Sequence, residues 1–437
     1  MKLNKSSQLV LVSAASLAAA GMVTACGAFS NTLTADFVYV TSSKAAGPNN
    51  YGNVDVMEVD YESGRLRHIP TSPFPSGGRD PVAEAVSPNY LNLYVVNEDD
   101  NTVVQFAIGS DGKLYPQNTV NTPGVFPLAV AVSGSHMYIA DTYQPLPTCS
   151  PAEPCSGSVA VFPLSSSGAP GAAVGNPSGD IDYWPLTAPC SPTDVLTPSA
   201  INAADSGRYV FVTAYDTTAA AANAASSTSA CDLSGAGTAP TGYLFMFAAN
   251  SNGTLTAVKG SPFAIAETGA SGAGVQPSAI ASDSNGHVYV TDYAGAVQEP
   301  SGARNVYAYT IVSGGLAEVR GSPFGAGNQP AAIALDSTGS YAYVANSLDN
   351  TITAYTVSGG ALSSFGTYAT STQPVAILVD PNTSHFVYAA NYLAASVSGY
   401  QLMTGSGAPT MVVTQNTPYT VDAQSTALAA IPHQVQQ

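Results

Sequence analysis

The chain has 437 residues, 45% hydrophobic and only 9% charged, with 11 basic side chains against 28 acidic ones and a formal charge of −17. That apolar content is too high for a disordered chain, and the acidic excess works against binding nucleic acid or anionic lipid. Gly (40), Pro (31) and 24 Tyr against 13 Phe point away from long helices and towards many short strands joined by tight turns.

The chain opens on a targeting segment. "MKLNK" supplies two lysines, an apolar stretch follows, and "VTAC" closes it, which is a secretory signal layout. The segment resembles a bacterial lipoprotein signal, and that resemblance implies cleavage after residue 25 and acylation of Cys26. An ordinary cleaved signal or an uncleaved anchor is the alternative, although the apolar stretch is short for a full span. Gly27 after the cysteine implies onward sorting to the outer membrane. The expected organisation is a signal peptide over 1–25, a small polar tether over 26–35 and one domain over 36–432. The mature chain would keep 9 basic and 28 acidic residues, a formal charge of −19. The expected location is the cell envelope, on the periplasmic side or at the outer membrane, with membrane contact through the lipid alone.

Beyond the tether the chain repeats. The clearest unit starts at Gln329, "QPAAIALDSTGSYAYVANSLDNTITAYTVSGGALSSFGTY", and reads as four short runs separated by turn chemistry, an antiparallel meander. Its opening proline recurs at Pro81, Pro127, Pro198, Pro277, Pro330 and Pro374. Its second run recurs as "FVYVTS" (37–42), "LYVVN", "MYIAD", "VFVTA", "VYVTD", "AYVAN" and "VYAAN", and a fourth-run signature returns as "TSPF", "GSPF", "GSPF" and "TPY".

There are thus seven second runs but six opening prolines. "FVYVTS" has no first run before it, and the C-terminal "QSTALAAIP" matches the missing piece. Seven four-stranded sheets, with the tail strand pairing to residues 37–42, make an all-β, seven-bladed β-propeller. Ring closure buries faces that an open array would expose. Six or eight blades, or two sandwiches, are the competing architectures.

Proline spacings lengthen in blades three and four, where residues 142–158 and 216–242 are inserted after the second run. These insertions and the blade-to-blade loops emerge on one face, the top. Cys149, Cys155, Cys190 and Cys231 all fall in these segments. Four cysteines allow three connectivities, of which Cys149–Cys155 with Cys190–Cys231 is preferred. Each bridge would be worth roughly 2–4 kcal/mol. Metal-ligand spacing is absent, and no cofactor is expected.

The runs "VYVTD", "AYVAN" and "LYVVN", with "DNTI" or "DNTV" after them, resemble the YVTN repeat group. Residues 36–432 as a whole resemble the seven-bladed lactonase-like propellers, which include 6-phosphogluconolactonase-type and muconate-cycloisomerase-type proteins. That resemblance implies lactone hydrolysis in a top-face pocket holding Arg-His or His-rich motifs after the blade openings. Here those positions read "QPAAI", "QPSAI", "QPVAI", "FPLAV" and "TPSAI", so no catalytic residue carries over. Arg79 in "GRDPVA" is the single cation near an opening, with Arg304 a second basic residue on the same face.

The candidate site residues lie on the top face. Asn97, Asp141, Asp292, Asn346 and Asn391 share the end of the second run, with Ser42 and Ala214 completing the seven. They read first as caps of the following turn and second as a ring of oxygen ligands around the channel. Tyr215, Tyr293 and Tyr392 follow one residue later and Tyr143 two later, where rings could pack in loops or stack on sugars. His136, His287 and His385 fall on bottom turns as solvated residues, and His68 and His433 lie apart. Asp99 and Asp100 read as turn residues. The residues alone favour a non-catalytic envelope propeller that binds a small molecule, a glycan or an envelope protein as a monomer, without nucleic acid. Lactone hydrolysis is the alternative.

Overall fold

The computed structural model describes residues 33–43, 51–187, 194–204, 206–217, 242–265, 275–293, 305–405 and 407–433. Cys26, Cys190, Cys231 and Arg304 lie outside the described residues. From Thr34 the chain forms one compact unit of seven antiparallel sheets, the seven-bladed propeller expected. The inner strands touch in ring order: Pro81–Val86, Val125–Ser133, Leu196–Ala204, Pro277–Ser282, Pro330–Leu335, Pro374–Val379 and, closing the circle, Ser425–Pro432.

The repeat becomes physical at the start of each inner strand. Pro330 pairs with Asn346, and Ala332 with Ala345, so Ala331 bulges between them. The same bulge follows Pro81, Pro198, Pro277 and Pro374. Proline suits this edge because it needs no ladder N–H there. The bulge re-aims the strand into the channel wall.

Blades are joined by a tyrosine column, which explains why Tyr outnumbers Phe. Tyr39, Tyr94, Tyr138, Tyr289, Tyr343 and Tyr388 take one position on the second strands, all 0–2% exposed, with Phe211 in the seventh blade. The hydroxyls of Tyr39, Tyr94 and Tyr388 donate across the interface to the carbonyls of Gly112, Gly168 and Gly64 in the next blade, at 3.2, 2.7 and 2.7 Å. A buried hydroxyl without such a partner would be costly. Two residues earlier, Phe37 and Phe386 lie flat on Gly112 and Gly64. A Cβ there would fall 2.5 and 2.3 Å from the ring, and φ is +78° and +64°. His136 and His287 hold the same place against Gly253 and Gly360. They are half-buried interface residues, not the solvated turn residues expected. His385 is exposed.

Four fourth strands are interrupted where one continuous strand was expected. In blade 1, Leu66–His68 and Phe74–Pro75 both pair with the third strand. The "SPF/TPY" signature marks this break. Ser72, Ser261, Ser322 and Thr417 each precede a cis proline. Their hydroxyls accept the N–H of Val56, Met246, Ala308 and Gly399 at 2.8–3.1 Å, donors that the interrupted strand leaves free.

Blade 1 is assembled from both chain ends. Phe37, Val38, Tyr39, Val40 and Thr41 pair with Ile431, Ala430, Ala429, Leu428 and Ala427, and the bulge recurs between Thr41 and Ser42. Ser425 takes the proline's place opposite Ser42. The bulge residue Thr426 donates its hydroxyl to the Pro81 carbonyl of the next blade at 2.8 Å, as Ser278 does to Pro330 at 2.5 Å. The closing strand buries Ala427, Ala429 and Ile431. It also brings Asp36 against Asp380 of blade 7. Asp380 already accepts the amides of Thr383, Ser384 and Phe386. Burial first, then the Asp380 charge, push Asp36 up to about 8, and both of its carboxyl oxygens are buried without a hydrogen-bond partner.

Two outcomes follow from the seam. Deleting residues 424–437 removes a whole inner strand, a loss of roughly 5 kcal/mol or more in buried apolar surface. The melting midpoint of the truncated protein should drop by roughly 10 °C or more; equal midpoints would contradict the pairing. Unfolded Asp36 ionises near 3.8 and folded Asp36 near 8, so the unfolded chain holds fewer protons and stability falls as pH rises between those values. Asp36→Asn should therefore raise the midpoint at pH 8, change it little at pH 4, and flatten the slope between. A variant with the wild-type slope would rule out this carboxyl pair as its source.

Candidate functional site

The Asn/Asp ring lies at the top ends of the second strands, and all five side chains are 0–2% exposed. Asn346 donates to the Thr351 and Thr353 hydroxyls at 3.1 and 2.9 Å and accepts the Gly327 amide at 3.0 Å. Asn391 bonds Ser396 and Ser398 in the same way, and Asn97 reaches Thr102 at 3.4 Å. Asp292 accepts the Gln276 amide at 2.9 Å. Burial pushes Asp141 up to about 7 against the opposing Thr122 hydroxyl and Gly124 amide. A Cβ at Gly327 or Gly124 would fall 2.6 or 2.3 Å from Asn346 or Asp141, so glycine lets the preceding loop close over the ring. Asn346 and Asp292 thus tie their turns to the preceding loop, Asn97 and Asn391 bond within their own hairpins, and both Asp141 carboxyl oxygens are buried without a hydrogen-bond partner. Among the described residues no group of three or more His, Cys, Asp or Glu is placed to hold a metal.

Nearby, the asparagines of "DNT" lock one blade to the next. Asn101 and Asn350 adopt φ of 52° and 57°. Their side-chain oxygens accept the amides of Phe126 and Gln373, each just before an opening proline, at 2.7 Å.

The residues before those prolines stand at the channel mouth, where each inner strand begins. In ring order they are Gln424, Asp80, Phe126, Thr197, Gln276, Gln329 and Gln373, all half-buried. Asp80, Phe126, Gln329 and Gln373 have φ between 48° and 60°, a left-handed conformation that turns the chain into the wall. Beside them come the residues one past the Asn/Asp ring. The amides of Glu98, Tyr293, Ser347 and Tyr392 donate to the carbonyls of Asp80, Gln276, Gln329 and Gln373 at 2.8–2.9 Å. Tyr215 shares that position; burial, then Asp216 and Asp292, push its phenol up. Tyr143 stacks edge-on against Phe126 at 6.1 Å. The mouth therefore carries carboxamides on blades 5, 6, 7 and 1, carboxylates on blade 2, and Phe126, Tyr143 and Tyr215 on blades 3 and 4, with Tyr293 and Tyr392 beside the carboxamides of blades 5 and 7.

In the carboxylate sector both acids are shifted upward. Burial, then Asp80 and Asp99, push Glu98 up. Burial, then Asp99, push Asp80 up. Arg79 is held by Asp100: its Nε and Nη2 both bond Asp100 Oδ1 at 2.7 Å, and its amide bonds Asp100 Oδ2 at 2.7 Å. The insertion of blade 3 carries the Cys149–Cys155 disulfide, as expected.

Sequence reasoning missed Glu84. It occupies an inner-strand position filled elsewhere by Val130, Ile201, Ile280, Ile333, Ile377 and Leu428. Its Oε2 accepts the Thr41 hydroxyl at 2.7 Å, and its Oε1 is buried without a hydrogen-bond partner. Burial pushes it up to about 7, against the Thr41 hydroxyl and the amides of Thr41 and Ala429. Aligning "DPVAEAV" with the other openings shows this lone acid in an aliphatic column.

The family model described as lactonase, 7-bladed beta-propeller, matches residues 37–177 and 297–425. The chain belongs to the seven-bladed β-propeller lactonase family. The unmatched stretch between contains blade 4 and its insertion. Solved structures similar to this lactonase-family chain include a putative 6-phosphogluconolactonase from Bacteroides fragilis (19% identity, 92% of this chain and 99% of that one, TM-score 0.65). Another is a putative 6-phosphogluconolactonase from Bacteroides uniformis (17%, 91% and 100%, TM-score 0.64). A third is the periplasmic gluconolactonase PpgL of Pseudomonas aeruginosa (18%, 90% and 99%, TM-score 0.61). At these identities the likeness is one of fold. No curated protein matches the chain.

Proposed function

We propose that this propeller hydrolyses an uncharged, polyhydroxylated lactone at the channel mouth, in the cell envelope. The observation that carries this reading is the lactonase-family fold with a mouth of carboxamides and raised carboxylates, where the nearby cation, Arg79, is bound to Asp100. Carboxamides both donate to and accept from hydroxyls, so Gln276, Gln329, Gln373 and Gln424 suit a polyol. The carboxylates of blade 2 oppose a phosphorylated lactone. A related fold is the periplasmic gluconolactonase of Pseudomonas aeruginosa, which agrees with an envelope location and an uncharged substrate.

Glu98 is the proposed general base. It takes a proton from water as the water oxygen attacks the lactone carbonyl carbon, and a mouth carboxamide N–H stabilises the developing oxyanion. Collapse breaks the ring C–O bond, and the proton returns from Glu98 to the departing ring oxygen. The product is a hydroxy acid that ionises, and the acidic mouth then favours its release.

The test compares glucono-1,5-lactone with its 6-phosphate on protein lacking residues 1–26, with rates corrected for spontaneous hydrolysis. Turnover of the uncharged lactone should exceed that of the phosphate by at least about tenfold, and Glu98→Gln should lower kcat by roughly 100-fold or more. The raised Glu98 pKa should place the acid limb of kcat/KM above the ordinary carboxylate range. Preference for the phosphate, or full activity in Glu98→Gln, would overturn the proposal.

A further inference from the structure

Outboard of the mouth, an open groove of about 630 Å³ runs between the loop leaving blade 1 and the outer strands of blade 2. Tyr51, Gly77, Arg79, Asp100, Thr102 and Thr119 line it. We propose that this groove is a saccharide-binding site for an uncharged hexopyranose, separate from the lactone mouth. The proposal does not depend on catalysis.

The lining has the two elements that a pyranose requires. One is a rigid polar plane. Asp100 holds the Arg79 guanidinium through Nε and Nη2 at 2.7 Å each, and Nη2 also meets the Asp99 carbonyl at 3.3 Å. The guanidinium is therefore preorganised while its side chain stays 47% exposed, with donors left for vicinal hydroxyls. The other is an aromatic face. Tyr51 is half-buried and lines the groove together with Arg79, and a tyrosine ring packs against the C–H face of a sugar. The Thr102 and Thr119 hydroxyls add donors and acceptors.

The surroundings exclude the other ligand classes. Asp99 and Asp100 with nearby Asp80 and Glu98 make an anion unfavourable. Among the lining residues the charges of Arg79 and Asp100 offset each other, which leaves no net charge to hold a cation. An uncharged polyol remains.

The chain carries an unspecialised copy of the same groove. Between blades 5 and 6 a groove of about 540 Å³ is lined by Gly327, Asp349, Thr351 and Thr367, among others, with no aromatic side chain in its lining. Asn328 replaces Arg79 there, and its amide donates to Asp349 Oδ1 at 2.5 Å. Arg79 and Tyr51 are thus additions to a repeat-derived scaffold rather than requirements of the fold.

Saturation-transfer NMR of the protein lacking residues 1–26, using methyl glucoside, methyl mannoside and methyl galactoside as probes, tests the site. Transfer to at least one glycoside with a millimolar Kd is expected. Tyr51→Ala or Arg79→Met should weaken it at least fivefold, and Asn328→Ala should leave it unchanged. Tyr51→Ala should also leave lactone turnover unchanged, which separates this site from the mouth. Melting curves of each variant confirm folding. No transfer to any of the three glycosides, or equal transfer in wild type, Tyr51→Ala and Arg79→Met, would overturn the proposal.

Discussion

The ladder between residues 425–432 and 34–42 governs everything else in this molecule. Six blades are continuous in sequence and can form from local hairpins. The seventh forms only when strands from the two ends of the chain lie side by side. Until then Phe37, Tyr39 and Val40 lack a partner on one side, and the faces of blades 2 and 7 lack a neighbour. Loop-closure entropy over nearly 400 residues opposes this contact. A dense set of interactions offsets it: backbone pairing, buried Ala427, Ala429 and Ile431, and the Thr426 bond to Pro81.

The same seam shapes the top face. Gln424 reaches the mouth because Ser425 sits in register opposite Ser42. Glu84 meets Thr41 because blade 1 is closed beside blade 2. Blade 2 is therefore where the molecule departs most from its own repeat: Asp80 stands where four blades have glutamine, Glu98 where the others have tyrosine, serine or threonine, Glu84 where they have an aliphatic residue, and Arg79 where they have an uncharged one. Its charges are concentrated on one sector of an otherwise neutral rim, which gives a symmetric scaffold a direction.

The blades and their closure were legible in the sequence. Period-two apolar runs and turn residues report directly on strands, and the mismatch of seven second runs with six prolines reports a missing strand. Side-chain engagement was less legible. The Asn/Asp ring was visible as a column. Its partners come from the third strand and from the preceding blade's loop, and a single repeat does not display them together. Arg79 looked like an available cation because its partner Asp100 lies 21 residues away, in the next turn. The "SPF" signature was read as strand because its hydroxyl replaces a ladder bond that only the fold reveals. Glu84 was visible and needed only a column-by-column alignment. Cys149–Cys155 was legible because a separation of six residues within one loop leaves little alternative geometry.

Hydrogen–deuterium exchange of the intact protein tests the closure most directly. If the C-terminal strand is a full member of the ring, the amides of residues 427–431 exchange as slowly as those of the inner strand Pro374–Val379. Exchange of that segment within seconds, at the rate of an unstructured tail, would contradict the closed ring.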